Sequence, residues 1–330
     1  MKIAFFSTQL YDRKFFDEHN AAFVYAIDYY ETSLNEKTIN LLQDVNAICV
    51  FVNDQVNRSV IEQLAKRGIK IIALRCAGFN NVDIQAAAEN NIRVVRVPTY
   101  SPHAVAEHAI AMIMTLNRKT HKAYNRVREQ NFSLNGLLGF DLFGKTVGVI
   151  GTGNIGQVFC SIMLGFGMKV LAYDVRPNDA LIKTGVQYVG LKEIFEQSDI
   201  ISLHCPLNEQ TRYLINDQSI QRMKKGVMLI NTSRGGLIDT KTVIKGLKSG
   251  IIGSLGIDVY EQEEKLFFRD LSENIIEDDV ISRLGSFPNV LITAHQGFFT
   301  YEALTQIAKT TLSNLKAFEK DEALVNEIKL

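Results

Sequence analysis

An α/β protein built on two open parallel sheets is predicted from three observations. The chain has 330 residues, which at roughly 150 residues per domain makes two domains. Short apolar runs alternate with helical segments along it, and a glycine-rich turn, GTGNIG at 151–156, stands between one such run and a helical segment. Apolar residues make up 46% of the chain, enough for each domain to bury a core of its own.

The first series of runs is KIAFF (2–6), FVYAIDYY (23–30), AICVFV (47–52), IKIIAL (69–74) and IRVVRV (92–97). Runs of this length separated by helical stretches read as βαβ units of a parallel sheet. Pro98 and Pro102 then bracket Thr99, Tyr100 and Ser101, and a nearly all-round apolar helix is predicted from about Ala104 to Leu116. This stretch reads as the hinge between domains, with its helix a candidate partner surface. A second series follows: KTVGVIG (145–151), KVLAYD (169–174), IISLH (200–204), VMLINTS (227–233), IGSLGID (252–258) and VLITAH (290–295). From Tyr301 to Phe318 a stripe of Ala303, Leu304, Ile307, Ala308, Thr311, Leu312 and Leu315 predicts one long helix, placed to pack back on the first domain.

Charge and cysteine content exclude several classes of function. Lys plus Arg (36) equals Asp plus Glu (36), so no overall basic field exists to hold nucleic acid or an anionic membrane. Cys49, Cys76, Cys160 and Cys205 form no CxxC pair; neither a disulfide framework nor a metal site is expected, and a reducing compartment is. The apolar run after Lys2 is too short for a secretion signal, and no stretch approaches the roughly 18 apolar residues of a membrane span. A cytoplasmic protein is expected.

In GTGNIG, Gly151 allows a tight turn, Gly153 lets the backbone approach a pyrophosphate, and Gly156 lets helix and strand pack closely. The helix predicted from about Gln157 then offers free N–H groups and a partial positive charge to phosphates. Asp174 ends the next strand, where its carboxylate accepts hydrogen bonds from a ribose. This favours NAD; Arg176, two residues on, leaves NADP a minor alternative.

Ligands of open parallel sheets lie beyond the carboxyl ends of the strands. At three such exits stand Arg234 after VMLINTS, Glu263 after LGIDVY and His295 at the end of VLITAH. A fixed cation holds a substrate carboxylate and answers the charge that hydride attack builds on a carbonyl oxygen. A histidine donates a proton near neutrality, and a neighbouring carboxylate orients it and favours its charged form. The set suits reduction of a 2-oxo acid. Glu261 and Glu264 flank Glu263 closely enough to be fallbacks. His204, His103 or His108 as the titrating residue is the rival to His295, with His204 otherwise read as a packing or cofactor-shell residue and His103 and His108 as interface or core residues.

The motifs LRCAGFNNVD (74–83), VPTYSPHAVAEHA (97–109), GTGNIG, HCPL (204–207), NTSRGGLID (231–239), DVYEQEE (258–264) and TAHQGFFT (293–300) occur in order. On them the chain resembles the D-isomer-specific 2-hydroxyacid dehydrogenase family, D-lactate dehydrogenase branch. The resemblance implies two Rossmann-like or flavodoxin-like domains with the active site in the cleft between them. A discontinuous substrate domain would comprise 1–100 plus 299–330, and an NAD-binding domain 101–298. It implies catalysis by Arg234, Glu263 and His295, and cofactor contacts from Gly151, Gly153, Asn154, Ile155, Gly156, Asp174, Cys205, Pro206, Thr232, Ser233, Arg234 and Asp258. Substrate would be held by Ala77, Gly78, Tyr100, Arg234, His295 and Phe298. Glu264 and Ala294 replace prolines common in the family, and the loop 265–284 is longer than in most members. The branch resemblance implies pyruvate and D-lactate over glyoxylate, hydroxypyruvate or branched oxo acids, and Tyr100, Phe298 and Phe299, which suggest a small apolar pocket, support it. An NAD-responsive corepressor is the alternative of another class. A homodimer or homotetramer is expected.

Overall fold

The computed structural model describes residues 1–329. The chain divides into two compact units, one made of Met1–Ser101 and the segment from Phe298 onward, the other of Pro102–Gly297. The crossings differ by one residue from 100/101 and 298/299. A helix opens on Pro102, and Phe298 is buried among rings of the first unit, 6.1 Å from Phe51 and 6.3 Å from Tyr100.

The first unit runs β1 (Lys2–Phe5), α1 (Leu10–Asn20), β2 (Ala26–Tyr29), β3 (Ala47–Val50), α2 (Arg58–Lys66), β4 (Ile71–Leu74), α3 (Ile84–Glu89) and β5 (Arg93–Val95). Its sheet has the order β2-β1-β3-β4-β5 with every pair parallel, the flavodoxin-like arrangement. β3 and β4 are buried at every residue, because helices cover both faces of a parallel sheet. Directly after β4, Arg75 is 1% exposed. Its Nε lies 3.2 Å from Asp12 Oδ1, one Nη donates to the Ser7 carbonyl at 2.7 Å, and the guanidinium lies against the Phe5 and Phe51 rings. Nearby Asp54 accepts from the Ser7 hydroxyl and the Leu34 and Phe51 N–H groups. Burial nevertheless holds its carboxyl above the usual range.

The second unit begins with α4 (Pro102–Arg118) and α5 (Thr120–Arg128), then β6 (Thr146–Ile150), α6 (Asn154–Gly165), β7 (Lys169–Tyr173), α7 (Asp179–Lys183), β8 (Gln187–Tyr188) and α8 (Leu191–Gln197). It continues with β9 (Ile200–Leu203), α9 (Asp217–Arg222), β10 (Val227–Asn231), α10 (Thr240–Ser249), β11 (Ile252–Ile257), α11 (Asp279–Gly285) and β12 (Val290–Ile292). The sheet order is β12-β11-β10-β9-β6-β7-β8, all parallel. The chain therefore reverses its direction of travel between β6 and β9. The two-residue β8 has no counterpart in the sequence reading, being too short to show a period.

α4 packs on α6, β10, β11 and β12, so most of the apolar surface that suggested a partner face is covered inside the unit. Exposed apolar side chains lie further on, at Phe132, Leu134, Leu138 and Phe143. In the first unit, α12 (Tyr301–Glu319) packs on α1 and β4. Among the described residues no helix is long and apolar enough to cross a membrane, and all four cysteines are free and buried.

Removing one partner of a buried ion pair leaves the other charged and unsolvated. Arg75→Met is therefore expected to cost about 3 kcal/mol or more of stability, read from denaturant unfolding; an unchanged midpoint would show that Asp12 and Asp54 do not depend on it.

Candidate active site

The strand ends of the second unit are level. Tyr173 pairs with Ile150, Ile150 with Leu203, Leu203 with Asn231, Asn231 with Ile257 and Ile257 with Ile292. Gly151, Asp174, Cys205, Arg234, Asp258 and His295 each stand one to three residues beyond that row, and Glu263 six. One edge of one sheet thus collects them.

At the switch point between β6 and β9, Gly151 has φ +95, and a Cβ there would lie 2.5 Å from the Cys205 nitrogen. A Cβ on Gly156 would lie 2.0 Å from the Gly151 oxygen, so turn and helix touch through bare backbone. A Cβ on Gly153, by contrast, would meet nothing within 4 Å. The helix begins earlier than expected, at Asn154 rather than near Gln157, with Gly153 as its N-cap. Asn154, Ile155 and Gly156 therefore form the first turn, whose N–H groups lack intrahelical acceptors and carry the positive end of the helix dipole.

Asp174 is joined to this turn. Its Oδ2 accepts the Thr152 N–H at 2.6 Å and the Thr152 hydroxyl at 3.2 Å, and its Oδ1 accepts the Arg176 N–H at 3.0 Å. Partial burial alone would raise this carboxyl; the hydrogen bonds outweigh it and hold it below the usual range. Tyr188 donates to Thr152 Oγ1 at 2.7 Å, which gives the short β8 a purpose. Across the switch point the Ser233 hydroxyl donates to the Cys205 carbonyl at 2.7 Å, Pro206 is exposed, and the buried Thr232 Oγ1 has no partner among the described residues. An open glycine floor, a helix N-terminus, an ionised carboxylate and an unsatisfied hydroxyl fit a dinucleotide.

Arg234 is placed by the buried amide of Asn231. Its Oδ1 accepts the Ser233 N–H at 3.1 Å and its Nδ2 donates to the Arg234 carbonyl at 2.9 Å. The Arg234 guanidinium donates to the Ser233 carbonyl, and among the described residues no carboxylate pairs with it. Gly235 follows because a Cβ there would lie 2.2 Å from the Tyr260 carbonyl carbon. The arginine turn and the glutamate loop are in backbone contact.

Glu263 Oε2 accepts the Tyr260 N–H at 2.9 Å, and Oε1 lies 2.9 Å from His295 Nδ1. A carboxylate only accepts, so Nδ1 carries the proton and Nε2 is left for other work. Glu261 instead accepts from the Thr240 N–H and hydroxyl, and Glu264 is exposed. His295 does not end a strand as expected: it lies three residues past β12, in left-handed backbone at φ +53. The Phe268 ring, from the long loop after Glu263, lies 5.8 Å from its imidazole. His204 packs 4.7 Å from Phe159, and burial pushes it down to about 3, so it remains neutral.

Ala77, Gly78, Tyr100 and Phe298 belong to the first unit. The Ala77 carbonyl accepts from Arg96 at 2.8 Å and the Gly78 carbonyl from the Cys76 thiol at 3.3 Å. Tyr100, Phe298 and Phe299 form a run of rings with Phe51 and Tyr11. Asn231, Phe268 and Phe51 were missed by sequence reasoning. Asn231 stands in the quoted NTSRGGLID, but nothing in a linear motif marks an amide that hydrogen-bonds its own turn.

Residues 110–297, more than half of the chain, match the model of the D-isomer specific 2-hydroxyacid dehydrogenase, NAD binding domain. D-lactate dehydrogenase of Escherichia coli (strain K12) is 53% identical over 99% of this chain and 100% of its own. The apo structure of D-lactate dehydrogenase from Escherichia coli superposes with TM-score 0.92 at 51% identity, covering 100% of both chains. D-lactate dehydrogenase from Aquifex aeolicus, complexed with NAD and lactic acid, gives TM-score 0.88 at 35% identity, covering 99% of this chain and 98% of that one.

Asp174→Ala should weaken NADH binding about tenfold, the worth of one charge-assisted hydrogen bond, and weaken NADPH binding less, since the carboxylate that repels a 2′-phosphate is gone. Fluorescence titration with both nucleotides measures this; equal losses for the two would remove Asp174 from cofactor choice.

Proposed function

Because the chain belongs to the D-isomer-specific 2-hydroxyacid dehydrogenases, we propose that it is an NAD-dependent D-lactate dehydrogenase, reducing pyruvate to D-lactate reversibly. The observation that carries this reading is the 2.9 Å contact between His295 Nδ1 and Glu263 Oε1, with Arg234, whose guanidinium meets no carboxylate among the described residues, on the exit of a neighbouring strand. Residues 151–156, Asp174, Cys205, Pro206, Thr232, Ser233 and Asp258 would hold NAD, which when bound would supply or accept the hydride.

With Nδ1–H committed to Glu263, His295 Nε2 gives its proton to the oxygen of the nascent alcohol, and in the reverse direction removes the hydroxyl proton. Arg234 binds the substrate carboxylate and offsets the negative charge that develops on the oxygen. The family resemblance assigns substrate contacts also to Ala77, Gly78, Tyr100 and Phe298 of the first unit, the two rings suiting a methyl group. The relatives named D-lactate dehydrogenase, one of them holding lactic acid, support pyruvate over larger oxo acids. Exposed Phe132, Leu134, Leu138 and Phe143 between α5 and β6 support a homodimer or homotetramer, which light scattering tests. Unpaired cysteines support a cytoplasmic location.

Purified protein with NADH and pyruvate should consume NADH and yield D-lactate by chiral analysis. NADH binding without turnover of any 2-oxo acid would favour a binding protein instead. His295→Ala is expected to lower kcat about 10²–10⁴-fold, the span of general acid catalysis, with NADH affinity kept. Arg234→Lys should lose roughly 10²-fold in kcat/KM for pyruvate because the planar fork is lost although the charge stays. Near-wild-type rates in either variant would remove that residue from the mechanism.

A further inference from the structure

A second histidine is built into the turn that carries His295. Left-handed backbone at a residue other than glycine persists only where its surroundings hold it. Here the holder is Asp258, one residue past β11, with 2% of its side chain exposed. Its carbonyl accepts the His295 N–H at 2.8 Å, Oδ1 the Gln296 N–H at 2.8 Å, and Oδ2 the Gly297 N–H at 2.8 Å. Oδ1 also accepts the Thr293 hydroxyl at 2.6 Å. Thr293 has one proton, and that short contact uses it, so its oxygen is left to accept. His108 Nε2 lies 3.0 Å from this oxygen and 3.4 Å from Asp258 Oδ1. Nε2–H of His108 is therefore the donor at the head of a chain that runs through Thr293 to Asp258.

His108 belongs to α4, whose apolar residues pack on α6, β10, β11 and β12. It is tied to a rigid element, while Thr293 to Gly297 has no regular structure of its own. The turn closes directly on the pair: a Cβ on Gly297 would lie 3.0 Å from Asp258 Oδ2 and 3.5 Å from His108 Cδ2. We infer that His108 is a positioning residue for His295, anchoring the 293–297 turn to α4 through Thr293 and Asp258 and so setting where His295 Nε2 stands. The inference rests on His295 as the proton donor. Displacing a reacting group by about 1 Å costs on the order of 100-fold in rate, whereas substrate affinity depends on Arg234, on another strand exit.

The test compares His108→Leu, His108→Gln and Thr293→Val. In His108→Leu, kcat for pyruvate should fall about tenfold or more with KM for pyruvate within about threefold. His108→Gln, which restores an N–H donor, should recover most of kcat. Amide exchange in the cofactor-free protein should quicken at Gln296 and Gly297 in His108→Leu and Thr293→Val but not in His108→Gln. Thr293→Val, nearly isosteric, should reproduce the kcat loss, and decides the matter if His108→Leu does not fold. The inference is overturned by near-wild-type kcat in Thr293→Val, by His108→Gln as impaired as His108→Leu, or by kcat and KM moving together. A wild-type protein inactive with pyruvate would instead overturn the proposed function, and amide exchange would still report on the anchor.

Discussion

Parallel pairing with level strand ends is the constraint on which the site depends. Ile150, Tyr173, Leu203, Asn231, Ile257 and Ile292 form one row across the second unit's sheet. Because parallel strands all point the same way, every βα connection on that edge starts from the same height. A glycine turn, two carboxylates, a guanidinium and an imidazole scattered over some 145 residues of chain then lie within a few residues of one line. The reversal of strand order between β6 and β9 parts the connections to opposite faces and leaves the crevice in which such ligands bind.

Level ends bring groups near one another without aiming them, and the aiming is done by short polar contacts. Asn231 folds the Arg234 turn with both ends of one amide, and Glu263 divides its two oxygens between the Tyr260 N–H and His295. Asp258 collects the N–H groups of the histidine turn. Each is a buried or half-buried acceptor that would be costly if left unmet, so the same contacts that orient the chemistry also satisfy the backbone around it. Bare backbone does the rest: Gly151, Gly156 and Gly235 stand where a single Cβ would collide with main-chain atoms of the next connection.

The first unit uses a different device. A guanidinium, two carboxylates and aromatic rings occupy the middle of its sheet edge, where an apolar cluster would have sufficed for stability. Arg75 lies against Phe51, and Phe51 stands in the ring series with Phe298 and Tyr100. The charge at the core thus packs against the Phe5 and Phe51 rings, and through Phe51 it adjoins the aromatic surface of the unit.

From the sequence alone come the α/β class, the approximate strands, the glycine turn, and Arg234, Glu263 and His295 as candidates among their neighbours, because periodicity, glycine spacing and residue chemistry are local properties. The start of α6 was misplaced because Asn154, Ile155 and Gly156 look like loop until the helix above them forms. β8 was missed for its length, and α4 was misjudged because an all-round apolar helix reads alike whether it faces a partner or lies within its own unit. Only tertiary structure decided which of three glutamates meets His295, since Glu261 is drawn away by Thr240 across the fold. Likewise it decided that His204 stays neutral while His295 is paired, and that Asn231, Asp258 and His108 brace the Arg234 and His295 turns. Those outcomes depend on burial and on partners distant in sequence, which no spacing along the chain records.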